Sequence, residues 1–138
     1  MSVVALDSNV FIAALSAAEL HSAVAQQLVR DIAKGAHTAV ASSIALGEVL
    51  IVSNANQDLN LETFFSRITN LATIPAEDAI CLKAAELRRC YGNKLKLPDA
   101  LHVATAILAN ADMFITNDVS LAKVSAKLIA TKLLSDWS

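Results

Sequence analysis

Short apolar runs alternate along this chain with longer stretches in which apolar residues return every three or four positions. The run Val3-Val4-Ala5-Leu6 stops at Asp7 and reads as a buried strand. Residues 8–18 and 19–34 read as two helices, the second closed by Gly35, a residue type that commonly ends helices. Residues 37–41 form a second short strand, and 43–52 a helix that is apolar almost all round, the mark of a buried helix. Residues 61–71 read as a helix with Phe64, Phe65 and Ile68 on its apolar side, and 73–74 as a brief strand before Pro75. Within 76–90, Ile80, Ala84 and Leu87 recur at helical spacing. A polar loop at 91–97 leads to Pro98, which opens a helix reaching residue 110, because proline is tolerated in a helix's first turn. A strand at 113–116, a short helix at 118–123 and a last strand at 128–131 complete the series. This alternation predicts an α/β fold with a central parallel sheet and helices on both faces. Ligands of such folds gather at the carboxyl ends of the strands, where the topology reverses. The residues that directly follow strands are therefore the first candidates for chemistry.

Composition narrows the picture. With 138 residues the chain has the size of one domain, expected to span 1–138, and it can bury roughly two-thirds of its unfolded surface. Hydrophobic residues make up 55%, with only three glycines and two prolines, which excludes a disordered or loop-dominated protein. No apolar stretch approaches the roughly 20 residues of a membrane-spanning helix, and the N-terminus has no basic segment of a signal peptide. Cys81 and Cys90 fall in one predicted helix, about 13 Å apart along its axis, too far for a disulfide between them. Free thiols suit a reducing compartment, hence a cytoplasmic protein. The net charge of −2 gives no global signature of nucleic-acid binding. Any such activity has to come from a local basic patch or from bound cations.

Four acids stand where they need explaining. Asp7 ends the first strand, Asp118 follows strand 113–116, Asp99 lies in the first turn after Pro98, and Glu48 sits inside the apolar stretch 43–52. Each has an ordinary structural reading. Asp7 and Asp118 can cap the helices that follow them, Asp99 suits a helix N-terminus, and Glu48 can lie on a solvated strip. Together they fall at positions that converge on one end of a parallel sheet. Carboxylates gathered in one cleft repel each other and retain protons unless a cation is bound. Oxygen-rich clusters suit Mg²⁺ or Mn²⁺, which activate water and polarise phosphate oxygens. The chain has no P-loop, no nucleophile elbow and no zinc-type Cys/His spacing. Metal-assisted hydrolysis of a phosphodiester is the best-supported chemistry.

Four segments resemble the PIN-domain family, and within it the VapC-type toxins. They are Ala5-Leu6-Asp7-Ser8-Asn9-Val10, then Ser43 through Leu46-Gly47-Glu48-Val49, then Leu97-Pro98-Asp99-Ala100-Leu101-His102-Val103-Ala104-Thr105-Ala106, then Phe114-Ile115-Thr116-Asn117-Asp118. They occur in family order and span nearly the whole chain. The resemblance implies Asp7, Glu48, Asp99 and Asp118 as the catalytic and metal-holding acids, with Asp7 and Asp99 as direct ligands and Glu48 and Asp118 acting through water or on the nucleophile. It implies Asn9 and Thr116 as polar support. It further implies endonucleolytic cleavage of RNA with Mg²⁺ or Mn²⁺, dimerisation, and silencing by an antitoxin.

Other residues add less. Arg88, Arg89, Lys94 and Lys96 flank the approach to Asp99 and either track an RNA backbone or form a solvated helix end. His102 reads as a packing or hydrogen-bonding histidine rather than a ligand, Asp112 as a turn residue and Ser43 as a helix cap. Phe64 and Phe65 read as core or dimer surface, and Trp137 as an anchor at a subunit contact. Two other functions compete with a ribonuclease. An aspartate-dependent phosphatase would use an Asp ending the first strand, but Asn9 stands where its second Asp would be. A non-catalytic phosphate- or partner-binding module would not need all four acids.

Overall fold

The computed structural model describes residues 2–52 and 61–137. Five strands, β1 (Val3–Leu6), β2 (Thr38–Ser42), β3 (Leu71–Ile74), β4 (Met113–Thr116) and β5 (Thr131–Leu133), form one sheet in the order β3-β2-β1-β4-β5. Every pairing is parallel. The chain builds outward from β1 to β3, then crosses back to place β4 on the other side of β1. The direction of winding thus reverses between β1 and β4, and the crevice beyond their carboxyl ends is where such sheets bind ligands.

The helices are α1 (Ser8–Leu15), α2 (Ser22–Ala33), α3 (Ile44–Val52), α4 (Leu61–Ser66), α5 (Asp78–Tyr91), α6 (Leu97–Leu108) and α7 (Val119–Ser125). The two-residue period of the strands sorts them into two layers. Val4, Leu6 and Ile115 point into a core shared with Val10, Phe11, Ala25, Leu28, Ile32, Ala45 and Val49. Ala5 and Phe114 point to the opposite side, among Ile80, Ala84, Leu87, Ala100, Val103, Leu121 and Val124. Helices α1 to α3 therefore cover one face and α5 to α7 the other, which is the expected α/β architecture. Gly35, at φ +90, ends α2 as expected. Its N–H reaches Ile32 O, and Ala36 N reaches Asp31 O, which satisfies the last carbonyls of the helix.

Several expectations need correction. The stretch 43–52 is helical, but α3 is not a buried helix. Only Ala45 and Val49, one turn apart, are buried, while Leu46, Ile51 and Val52 face outward and Ile51 is 85% exposed. A narrow stripe suffices to dock α3, and apolar content does not reveal whether the other side is covered. The start of this helix is met by Ser42 Oγ, which accepts from Ile44 N, rather than by the side chain of Ser43. The helix expected over 61–71 stops at Ser66, and Asn70 at φ 70 turns the chain so that Leu71 begins β3. Residues 91–97 hold the end of α5 and a 3₁₀ turn, Gly92–Lys94. The last strand begins at Thr131, not Leu128, because the N–H groups of Leu128 and Ile129 both bond Ser125 O and continue the turn after α7.

Phe64 and Phe65 are packed against the first core, with Phe65 5.0 Å from Phe11 between ring centroids. Trp137 also packs on that core, edge-on to His37 and beneath the Lys132 amine. Asp112 ties its turn to β1 by accepting from Val3 N at 2.8 Å. Cys81 and Cys90 are exposed and unbridged on α5. Among the described residues, no helix is long and apolar enough to cross a membrane.

The contrast between the core and the outer face of α3 can be measured in urea. Phe114→Ala, at a fully buried site, should lower unfolding stability by about 3–5 kcal/mol. Ile51→Ser should change it by no more than about 0.5 kcal/mol. A loss of several kcal/mol at Ile51 would mean that the outer face of α3 is covered.

Candidate active site

Asp7 leaves β1 at the point where β1 and β4 separate, and it is almost fully buried. The ladder continues one step past the strand, with Asp7 N donating to Ile115 O, so its side chain comes level with Thr116. Both carboxylate oxygens accept hydrogen bonds. Oδ1 takes Ser8 N at 2.7 Å, capping α1. Oδ2 takes Thr116 Oγ1 at 2.8 Å and Asn9 Nδ2 at 3.1 Å. Asn9 also donates to Thr116 Oγ1 and accepts from Asn117 N, which stitches the first turn of α1 to the segment after β4. Asn9 and Thr116 both donate to the Asp7 carboxylate.

Glu48 lies on α3 with its side chain partly open, and His102 comes from α6 on the other side of the sheet, buried. His102 Nε2 meets Glu48 Oε1 at 2.5 Å and stands 3.7 Å from Asp7 Oδ1. Burial alone would push His102 down, but the Glu48 hydrogen bond and the charges of Asp7, Glu48 and Asp99 outweigh it, so its pKa is raised. The hydrogen bond from His102 holds the Glu48 carboxyl below its usual range against partial burial. His102 is therefore the hydrogen-bonding histidine expected, but its partner is a site acid. The signal was in the spacing: residues three apart on a helix share a face, and His102 follows Asp99 by three.

Asp99 sits half-buried in the first turn of α6, and among the described residues no hydrogen-bond donor meets its carboxylate. Burial, together with the charges of Asp7 and Asp118, pushes its pKa up to about 6. Asp7 is raised too, mainly by burial, although His102 and its hydrogen bonds pull the other way. Asp118 is exposed and caps α7 through Oδ1 to Leu121 N at 3.1 Å, while Thr116 Oγ1 accepts from its backbone N–H. The ordinary capping roles of Asp7 and Asp118 are thus real, and the same residues face the crevice acids electrostatically.

The donor set is all oxygen, the type that suits hard divalent cations. Among the described residues, however, no three acidic, histidine or cysteine groups stand close enough to enclose a metal. Asp7 is occupied by its donors and Glu48 by His102. Magnesium retains several waters and uses only one or two carboxylates. The unmet charge of Asp99, raised by that of Asp7, is compatible with that mode.

The basic residues near Asp99 divide. Arg88 turns back to donate to Gly92 O and so holds the 3₁₀ turn. Arg89 and Lys96 are exposed. Lys94 lines a concavity together with Lys123 and Lys127 of the α7 region.

The family model described as PIN domain matches residues 4–127. No curated protein matches the sequence. Among solved structures, the chain is similar to VapBC2 from Rickettsia felis bound to a promoter DNA fragment, with a TM-score of 0.70 and 19% identity over 95% of this chain and 98% of that one. It is similar to a toxin–antitoxin complex from Klebsiella pneumoniae, with a TM-score of 0.66 and 24% identity over 95% and 97%. DNA-bound VapBC from Salmonella typhimurium gives 0.70 and 16% over 97% and 99%.

A raised carboxyl pKa means that the folded state holds the proton more tightly than the unfolded one. Its favourable contribution is complete below the unfolded value near 3.8 and is lost as pH rises through about 6. In chelator, Asp99→Asn should therefore raise stability relative to the parent at pH 8, by about 1 kcal/mol after allowing for solvent screening of a half-exposed group. The difference should shrink towards zero near pH 4. Urea titrations at the two pH values check this, and a variant less stable than the parent at pH 8 would contradict it.

Proposed function

The chain belongs to the PIN domain family, and from that premise we propose that it is a Mg²⁺- or Mn²⁺-dependent endoribonuclease, the toxin of a type II toxin–antitoxin pair. The observation that carries this reading is the carboxylate cluster beyond β1 and β4, in which Asp99 meets no hydrogen-bond donor among the described residues and burial with the charges of Asp7 and Asp118 pushes its pKa up to about 6. Asp7 and Asp99 are the proposed direct ligands, and Glu48 and Asp118 act through water. When bound, the metal supplies charge neutralisation at the phosphate and lowers the pKa of the attacking water.

The remaining work falls to the protein's side chains. Thr116, Asn9 and Ser8 N fix the Asp7 carboxylate, so its oxygens are aimed before any ligand arrives. His102 holds Glu48 at the rim of the cleft, where it can orient a water on the phosphate. Asp118 adds negative charge at the open side, and that charge raises the demand for a cation.

The partners proposed are an RNA substrate, a cognate antitoxin and a second copy of the chain, in a cytoplasmic setting. The antitoxin is motivated by the complexes to which the fold is similar. Exposed apolar residues on α3, Leu46, Ile51 and Val52, offer surface that a protein partner would cover. An aspartate-dependent phosphatase is disfavoured because Asn9, and not a second aspartate, stands two residues after Asp7, where it donates to the Asp7 carboxylate.

Purified protein should cut RNA with Mg²⁺ or Mn²⁺ and not in chelator. Asp7→Asn and Asp99→Asn should each lower the rate by more than about a hundredfold, beyond the 10–100-fold typical of losing a supporting group. Gel assays on mixed structured and single-stranded RNAs measure this. Cutting in chelator, or cutting unchanged in both variants, would sink the reading.

A further inference from the structure

The chain has a net charge of −2, and its proposed active site is itself acidic. A polyanionic substrate must therefore be held by cations placed beside that site. The 11 lysines and arginines are spread widely, but three of them line one concavity. Lys94, Lys123 and Lys127, with Ser120 and Val124, surround a volume of about 370 Å³. No carboxylate is among its lining residues. Among the described residues, none of the three amines has an ion-pair or hydrogen-bond partner.

The position of this groove follows from the fold. One wall is the 3₁₀ turn Gly92–Lys94, which packs on α7 and leads within five residues to Asp99. The other wall is α7, whose N-cap is Asp118. Lys123 lies five residues beyond that cap, about 7.5 Å along the helix axis. Both walls of the groove are thus joined along the chain, within five residues, to Asp99 and Asp118. A neighbouring concavity shares Lys123 and contains Lys132, but Asp136 lines it as well and the Lys132 amine lies over Trp137. Its charge is offset, and that of the first groove is not.

We propose that Lys94, Lys123 and Lys127 form a phosphate-binding groove that grips the backbone of a single RNA strand next to the bond to be cut. Lysine suits this task because its ammonium is a compact charge on a flexible stem and tolerates any backbone geometry. Contacts of this kind give affinity without sequence preference. Arg88 serves the groove indirectly, since its bond to Gly92 O fixes the turn that presents Lys94. The proposal rests on the reading of the chain as a ribonuclease and names where its substrate is held.

The test is equilibrium binding of a 2′-O-methyl oligoribonucleotide, which resists cleavage, across a range of salt concentrations in chelator. The proteins are the parent, Lys123→Gln/Lys127→Gln, and the charge-matched control Lys34→Gln/Arg67→Gln, whose residues lie at the ends of α2 and α4. Metal-dependent RNA cleavage by the parent is assayed in parallel. Loss of two phosphate contacts should reduce the slope of log K against log salt by about 1.4. If the curves meet at 1 M salt, that slope corresponds to binding about 25-fold weaker at 0.1 M. The control should match the parent. Equal affinity and slope in all three proteins, or no binding by the parent, overturns the groove even when the parent cuts RNA. Lysine-dependent binding by a parent that cuts nothing supports the groove as a polyanion site and defeats the ribonuclease reading instead.

Discussion

Mutual repulsion among carboxylates governs this molecule. The winding of the sheet reverses between β1 and β4, and the first residue past β1 is Asp7. Asp99 and Asp118 reach the same crevice from helix termini and Glu48 reaches it from α3, where His102 bonds it. A charge-poor crevice would need none of the arrangements around it. Asp7 requires Thr116, Asn9 and Ser8 N, because a buried carboxylate without donors would take up a proton. Glu48 requires His102. Among the described residues Asp99 has no such partner, and it carries the unrelieved part of the repulsion.

The two layers of the fold are tied together by this arrangement. His102 belongs to the layer of α5 to α7, and Glu48 to the layer of α1 to α3, so their bond joins the layers beyond the carboxyl end of β1. Asn9 and Thr116 make a similar link from α1 to β4. Helix capping and site building use the same atoms here. The Asp7 carboxylate ends a strand, starts α1 and faces the crevice, and Asp118 does likewise for β4 and α7. A helix N-terminus favours negative charge, so placing acids there lowers the cost of assembling them.

Much of this was legible in the sequence because strand ends are marked twice, by the close of an apolar run and by a polar residue directly after it. Asp7 after Val3–Leu6 and the Thr116-Asn117-Asp118 sequence at the end of β4 carry both marks. The strand Met113–Thr116 has the expected bounds for the same reason. The character of α3 was not legible, since periodicity reports which residues can be buried and not which surfaces exist to bury them. The bounds of β5 were missed because Leu128 and Ile129, apolar and β-branched in part, look like strand but continue the turn after α7 to Ser125 O. The link between His102 and Glu48 joins residues 54 positions apart in sequence and depends on how α3 and α6 meet beyond the carboxyl end of β1. No local pattern encodes it.

Whether the crevice acids hold a divalent cation is tested most directly by anomalous diffraction from crystals grown in Mn²⁺. The account predicts a manganese peak beside Asp99 and Asp7, about 2.1 Å from a carboxylate oxygen, with His102 still bonded to Glu48. An empty crevice at saturating Mn²⁺, or manganese bound only elsewhere on the surface, would contradict it.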